Sequence, residues 1–124
     1  MGKPSANAPL HRANDEELER AAQISQLLAD RTRLGILELL LVEGEHSVGE
    51  IGHRLERPIP AVSQHLAKLK TGGLVLPRRD GTSIRYRIGG DHVALLVENL
   101  LQHSEHVLHA TPPHHREPAE AAPA

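Results

Sequence analysis

The chain has no cysteine, tryptophan or phenylalanine, and its single aromatic residue is Tyr86. Without sulfur from cysteine, disulfides and thiolate metal sites are both excluded. Without aromatics, the core of this 124-residue chain has to be built from Leu, Ile, Val and Ala. That composition suits helices packed on helices, in a domain small enough to gain from burying surface against a partner chain. No apolar run approaches the roughly 20 residues of a membrane span. The N-terminus lacks the charged-then-apolar order of a signal peptide, so the expectation is a soluble cytoplasmic protein. A basic excess is also missing overall, since the formal net charge is -2. Local asymmetry is present nonetheless. Arg57, Lys68, Lys70, Arg78, Arg79, Arg85 and Arg87 occupy a stretch whose only acid is Asp80. Histidine is abundant, with ten in the chain.

The hydrophobic spacing predicts one mainly α domain with a β-hairpin. Residues 1–13 read as a flexible arm, 14–109 as the folded domain and 110–124 as a disordered His/Pro-rich tail. Asn14 or Asp15 caps a first helix carrying Leu18, Ala21, Ala22, Ile24, Leu27 and Leu28 at helical intervals. Asp30 starts a second helix, with Leu34, Ile36, Leu37, Leu40 and Leu41 apolar, and Gly44 ends it. Ser47 and Glu50 form a capping box at the head of a short helix from Val48 to Leu55. A further helix runs from about Pro60 to Lys70, with Val62, Leu66 and Leu69 inward. The period then changes to two. Leu74–Pro77 and Ile84–Ile88 flank Arg79-Asp80-Gly81-Thr82, where Asp-Gly signals a hairpin. Asp91 caps a last helix from His92 to about Leu108, stopped by Thr111-Pro112-Pro113.

Two short helices followed by a hairpin make a winged helix-turn-helix. The second helix of the pair would present Pro60, Ala61, Ser63, Gln64, His65 and Lys68 to base edges and phosphates. Arg78, Arg79 and Thr82 at the wing tip, with Arg85 and Arg87 on the returning strand, would contact phosphates or the minor groove. The alternative is that Ser63, Gln64 and Lys68 are merely the solvated face of a core helix; the basic hairpin directly downstream favours DNA. For His65, a surface or base-contacting role stands ahead of a metal role.

The last helix carries a second pattern: Asp91-His92, ten residues, His103-Ser104-Glu105-His106, then His109. At ~100° and ~1.5 Å per residue, His92 and His103 share a face but lie ~16 Å apart, too far for one ion. Two copies packed antiparallel about a two-fold axis would bring His92 of one chain to His103 and His106 of the other, with Val93, Leu96, Val97, Leu100 and Leu101 as the apolar stripe. The spacing therefore predicts a homodimer and two intersubunit sites together. Imidazole and carboxylate donors suit Ni(II), Co(II) or Zn(II). Glu105, His109, His114 and His115 are a surplus over what zinc needs, which favours an octahedral ion, nickel or cobalt. The tail pair His114-His115 is either solvated or folds over the site when metal binds. No base–nucleophile pair accompanies the histidines, and a site on a helix surface has no substrate cleft, so an enzyme is not expected.

Leu28-Ala29-Asp30-Arg31-Thr32-Arg33-Leu34, Ala61-Val62-Ser63-Gln64-His65-Leu66-Ala67-Lys68-Leu69 and Arg78-Arg79-Asp80-Gly81-Thr82-Ser83-Ile84-Arg85-Tyr86 together resemble the ArsR/SmtB family of metalloregulators, and within it the nickel/cobalt sensors. The resemblance spans about residues 18 to 108. It implies a metal-free dimer bound to its operator and released by metal to derepress an efflux or homeostasis gene. His92, His103 and His106 match the family's last-helix metal pattern, while Gly90 stands where its first acid would be. A second family ligand set, an early His, a Glu-His pair and a tail His-His pair, is matched by His92, Glu105-His106 and His114-His115. The family's cysteine site near the third helix has no counterpart, which argues against arsenic, cadmium or lead. A zinc-responsive repressor and a winged-helix regulator without metal control are the alternatives.

Overall fold

Three of the five helices begin at a side chain that satisfies one of their first free N–H groups. A computed structural model describes residues 11–110. Residues 1–10 of the expected arm and residues 111–124 of the tail, with His114 and His115, lie outside that range. Helix α1 (Asp15–Leu28) starts at Asn14 rather than Asp15. The Asn14 side chain accepts from the Glu17 N–H at 2.8 Å, and Glu17 returns the bond to the Asn14 N–H. Helix α2 (Arg31–Glu43) starts on Asp30, whose carboxylate accepts from the Arg33 N–H, and stops at Gly44 with φ 83°. Helix α3 (Val48–Leu55) has the expected capping box between Ser47 and Glu50. Helix α4 (Ile59–Thr71) begins one residue before Pro60, behind an extended Pro58 whose carbonyl accepts the Val62 N–H. Pro60 in that first turn lacks only an N–H that would have had no partner in the helix.

Between α3 and α4 the chain turns through Glu56, a non-glycine residue held at φ 56°. Gly52 is buried there, and a Cβ on it would lie 3.0 Å from the Arg57 carbonyl. A side chain at that position would press on the turn that joins the two helices.

Strands β2 (Val75–Asp80) and β3 (Ser83–Ile88) form the hairpin, and a two-residue strand β1 (His46–Ser47) adds to the far edge of β3 in the order β1-β3-β2. Sequence periodicity did not predict β1, because two residues cannot display an alternation. The hairpin is longer and its loop tighter than expected. Asp80 pairs with Ser83, so Arg79 and Asp80 are strand residues and the loop is Gly81-Thr82 alone. Gly81 supplies the positive φ (65°) that primed two-residue turns require.

The core is aliphatic. Ile36, Leu37, Ile51, Val62, Leu66, Leu69, Leu74, Val75 and Val97 are essentially inaccessible, and Tyr86 packs half-buried at its margin. Helix α5 (Asp91–Ala110) begins one residue earlier than its sequence suggested. The Gly90 carbonyl accepts the Ala94 N–H, so Asp91 sits in the first turn rather than at the cap. Among the described residues no helix is long and apolar enough to cross a membrane.

Candidate nucleic-acid interface and metal-ligating helix

Val62, Leu66 and Leu69 recur at i, i+4 and i+7, and their complete burial fixes which way α4 faces. Pro60, Ser63, Gln64 and Lys68 consequently share the exposed face, with Ala61 half-buried at its edge. This is the polar, donor- and acceptor-bearing surface that base-edge contacts need. His65 departs from the expected set. It is half-buried, and its Nδ1 lies 3.4 Å from the Arg33 guanidinium. The same Arg33 donates to the Leu27 carbonyl at 2.7 Å and to the Gln26 carbonyl at 3.3 Å. His65 therefore links α4 to the α1–α2 corner, while Ser63, Gln64 and Lys68 are exposed.

The wing arginines are not equivalent. Arg78 and Arg85 lie directly opposite in the β2–β3 ladder, an arrangement in which like charges repel. Glu45, in the connection before β1, sits between them. Arg78 donates to its two carboxylate oxygens at 2.9 and 2.7 Å, and Arg85 donates to Oε1 at 3.3 Å and to the Glu45 carbonyl at 3.1 Å. Glu50 lies 3.3 Å from Arg85 as well. The Arg78 hydrogen bonds, with the charges of both guanidiniums, hold the Glu45 carboxyl far below its ordinary range, at about 2. Glu45 and Glu50 precede the basic stretch in sequence, so linear charge counting missed them; the fold places them on the wing. Among the described residues, Lys68, Lys70, Arg79 and Arg87 have no ion-pair partner. Arg79 and Thr82 lie exposed at the wing tip.

On α5, Val97 is fully buried, and Val93 and Leu101 are half-buried against the same core. Val97 of the pairing stripe read from the sequence is therefore used within the chain's own interior, while Val93 and Leu101 keep part of their surface open. Leu96 and Leu100 of that stripe remain 43% and 38% exposed. With Leu28 and Leu34 they line an apolar groove of about 480 Å³ between α1 and α5. His92 and His103 project at nearly the angle of Leu96 about the helix axis, so both lie on the side of α5 that carries Leu96, although neither lines the groove itself. All of Asp91, His92, His103, Glu105, His106 and His109 are exposed. Glu105 and His109 are hydrogen-bonded one turn apart. Among the described residues, no group of three His, Asp or Glu within one chain is arranged to hold an ion. The donor types themselves, imidazole and carboxylate on exposed turns, have the chemistry for ions such as Ni(II), Co(II) or Zn(II).

A helix-turn-helix domain model matches residues 28–78. The chain is 41% identical over 102 residues to the HTH-type transcriptional regulator KmtR of Mycobacterium tuberculosis, covering 82% of this chain and 78% of that one. It is 36% identical over 89 residues to the HTH-type transcriptional repressor SmtB of the same species, covering 72% and 65%. Its fold resembles the solution structure of a homodimeric winged helix-turn-helix DNA-binding domain from Mycobacterium bovis, with a TM-score of 0.73 at 33% identity, covering 82% of this chain and 96% of the other.

Proposed function

The chain belongs to the ArsR/SmtB family of winged helix-turn-helix transcriptional regulators, and on that premise we propose that it is a cytoplasmic, homodimeric repressor whose hold on operator DNA is released by Ni(II) or Co(II). The observation that carries the proposal is the placement of His92 and His103 on the exposed side of α5, beside Leu96 and Leu100. The same surface that asks for a second copy bears the donors that one copy cannot bring together. In an antiparallel pair, His92 would meet His103 and His106 of the partner subunit, giving two equivalent sites. Asp91, Glu105 and His109, with His114 and His115 from the tail, are the remaining donors. The ion would supply the cross-link between the two last helices.

Helix α5 packs on α2, which in turn contacts α3 and α4. A change in the angle between the paired α5 helices therefore moves the two reading faces apart or together. Operator half-sites have fixed spacing, so the displaced faces lose DNA affinity. Ser63, Gln64 and Lys68 of α4, with Arg79 and Thr82 of the wing, make the DNA contacts in this scheme, flanked by Pro60, Ala61 and His65 and supported by Arg78 and Arg85.

The test is anisotropy on a duplex selected in vitro for binding to the metal-free protein. Ni(II) or Co(II) is expected to weaken binding by about 5- to 150-fold, the usual span of such couplings. His92→Ala and His103→Ala are expected to abolish that response while leaving metal-free binding intact. Unchanged affinity with both ions would sink the proposal. A response to Zn(II) alone would support the zinc repressor, for which four of these donors suffice.

A further inference from the structure

We infer that Glu45 is a positioning residue that restrains the wing, holding Arg78 away from DNA phosphate and so lowering DNA affinity. A guanidinium fork fits a carboxylate and a phosphate with the same two parallel N–H groups. Glu45 occupies that fork on Arg78 through both oxygens. Among the described residues, every side-chain hydrogen bond of Arg78 goes to this one carboxylate. Arg85 differs. It is only 24% exposed and also holds the Glu45 carbonyl and the Glu50 carboxylate, so it stays anchored if the Glu45 charge is removed. Arg78 is 48% exposed and has no second anchor. It is therefore the cation that loss of Glu45 sets free. Repulsion from Arg85 across the ladder would then push it outward.

The inference rests on the DNA-binding part of the proposed function. It can be read on a short fluorescent duplex of arbitrary sequence, by anisotropy at salt concentrations between about 50 and 200 mM. Each phosphate neutralised adds about 0.9 to the slope of log affinity against log salt. Glu45→Gln is expected to bind more tightly at low salt, with a slope steeper by about 0.9 per protomer, or about 1.8 for a dimer. Across that salt range its affinity then falls about tenfold more than that of the wild type. In a double-mutant cycle the gain has to vanish when Arg78→Gln is combined with Glu45→Gln. A gain that persists without Arg78 is a bulk charge effect and overturns the inference, as does a slope that is unchanged or shallower. Glu45→Asp keeps the charge but, one methylene shorter, breaks the two-point contact. It serves if the first variant fails to fold, and is expected to move the slope in the same direction by less; no movement overturns the inference. A wild-type protein that fails to bind the duplex overturns the DNA reading along with it, whereas wild-type binding with no change in the variants overturns this inference alone.

Discussion

Glu45 illustrates how much can hang on one carboxylate. Its folded pKa is lowered from 4.5 to about 2, chiefly by the hydrogen bonds from Arg78. A group whose pKa falls on folding stabilises the fold above its unfolded pKa, and that stabilisation is lost as pH drops through the folded value. The wild type is thus expected to lose stability relative to Glu45→Gln between about pH 4.5 and 2. Denaturant midpoints of the two proteins, compared across that window, check this; parallel pH profiles would contradict it. Glycines give a second contrast at the same scale. A Cβ on Gly89 would lie 2.1 Å from the Gly73 carbonyl, while one on Gly49 meets nothing within 4 Å. Gly89→Ala should cost about 3 kcal/mol, because the clash is with backbone that cannot step aside. Gly49→Ala, in the first turn of α3, should gain up to about 0.5 kcal/mol, the lower end of the helix-interior difference. Thermal unfolding of both variants measures the pair.

Helix starts were legible at Asn14, Asp30 and Ser47, whose side chains cap them, but not at Asp91, which lies in the first turn of α5. Ser47 and Glu50 predicted the start of α3, and the structure has both bonds of the box. Ser47→Ala removes one of them and should destabilise the protein by about 1 kcal/mol, measurable by urea denaturation. The start of α4 was legible only to within a residue, since Pro58 makes no side-chain cap bond and leaves no capping signature. Strand β1 was not legible at all. Its two residues are strand only because β3 offers an unpaired edge to His46 and Ser47. Glu45 was hidden for the same reason: 33 and 40 residues separate it from the arginines it binds, and no local rule connects them. On α5 the apolar pattern was visible, but its division was not. Seen as a sequence, Val93, Leu96, Val97, Leu100 and Leu101 form one stripe; only packing against α2 shows which members are already used.

The exposed leucines and the groove between α1 and α5 make the whole molecule read as half of an assembly. Leu96→Glu combined with Leu100→Glu should yield a monomer by analytical ultracentrifugation and weaken DNA binding by about a hundredfold, through loss of two-site attachment. The double variant sedimenting as a dimer would place the interface elsewhere. The sequence by itself determined the winged helix-turn-helix, because helix caps, the change of hydrophobic period and the Gly81 turn are local properties of the chain. It also determined that His92 cannot share an ion with His103 inside one helix, which follows from rise per residue alone. Tertiary structure decided which of the named residues are free to act. It turned His65 toward Arg33, buried part of the α5 stripe and brought Glu45 onto Arg78 and Arg85. These are contacts between segments remote in sequence, set by how the core packs, and no periodicity or motif encodes them.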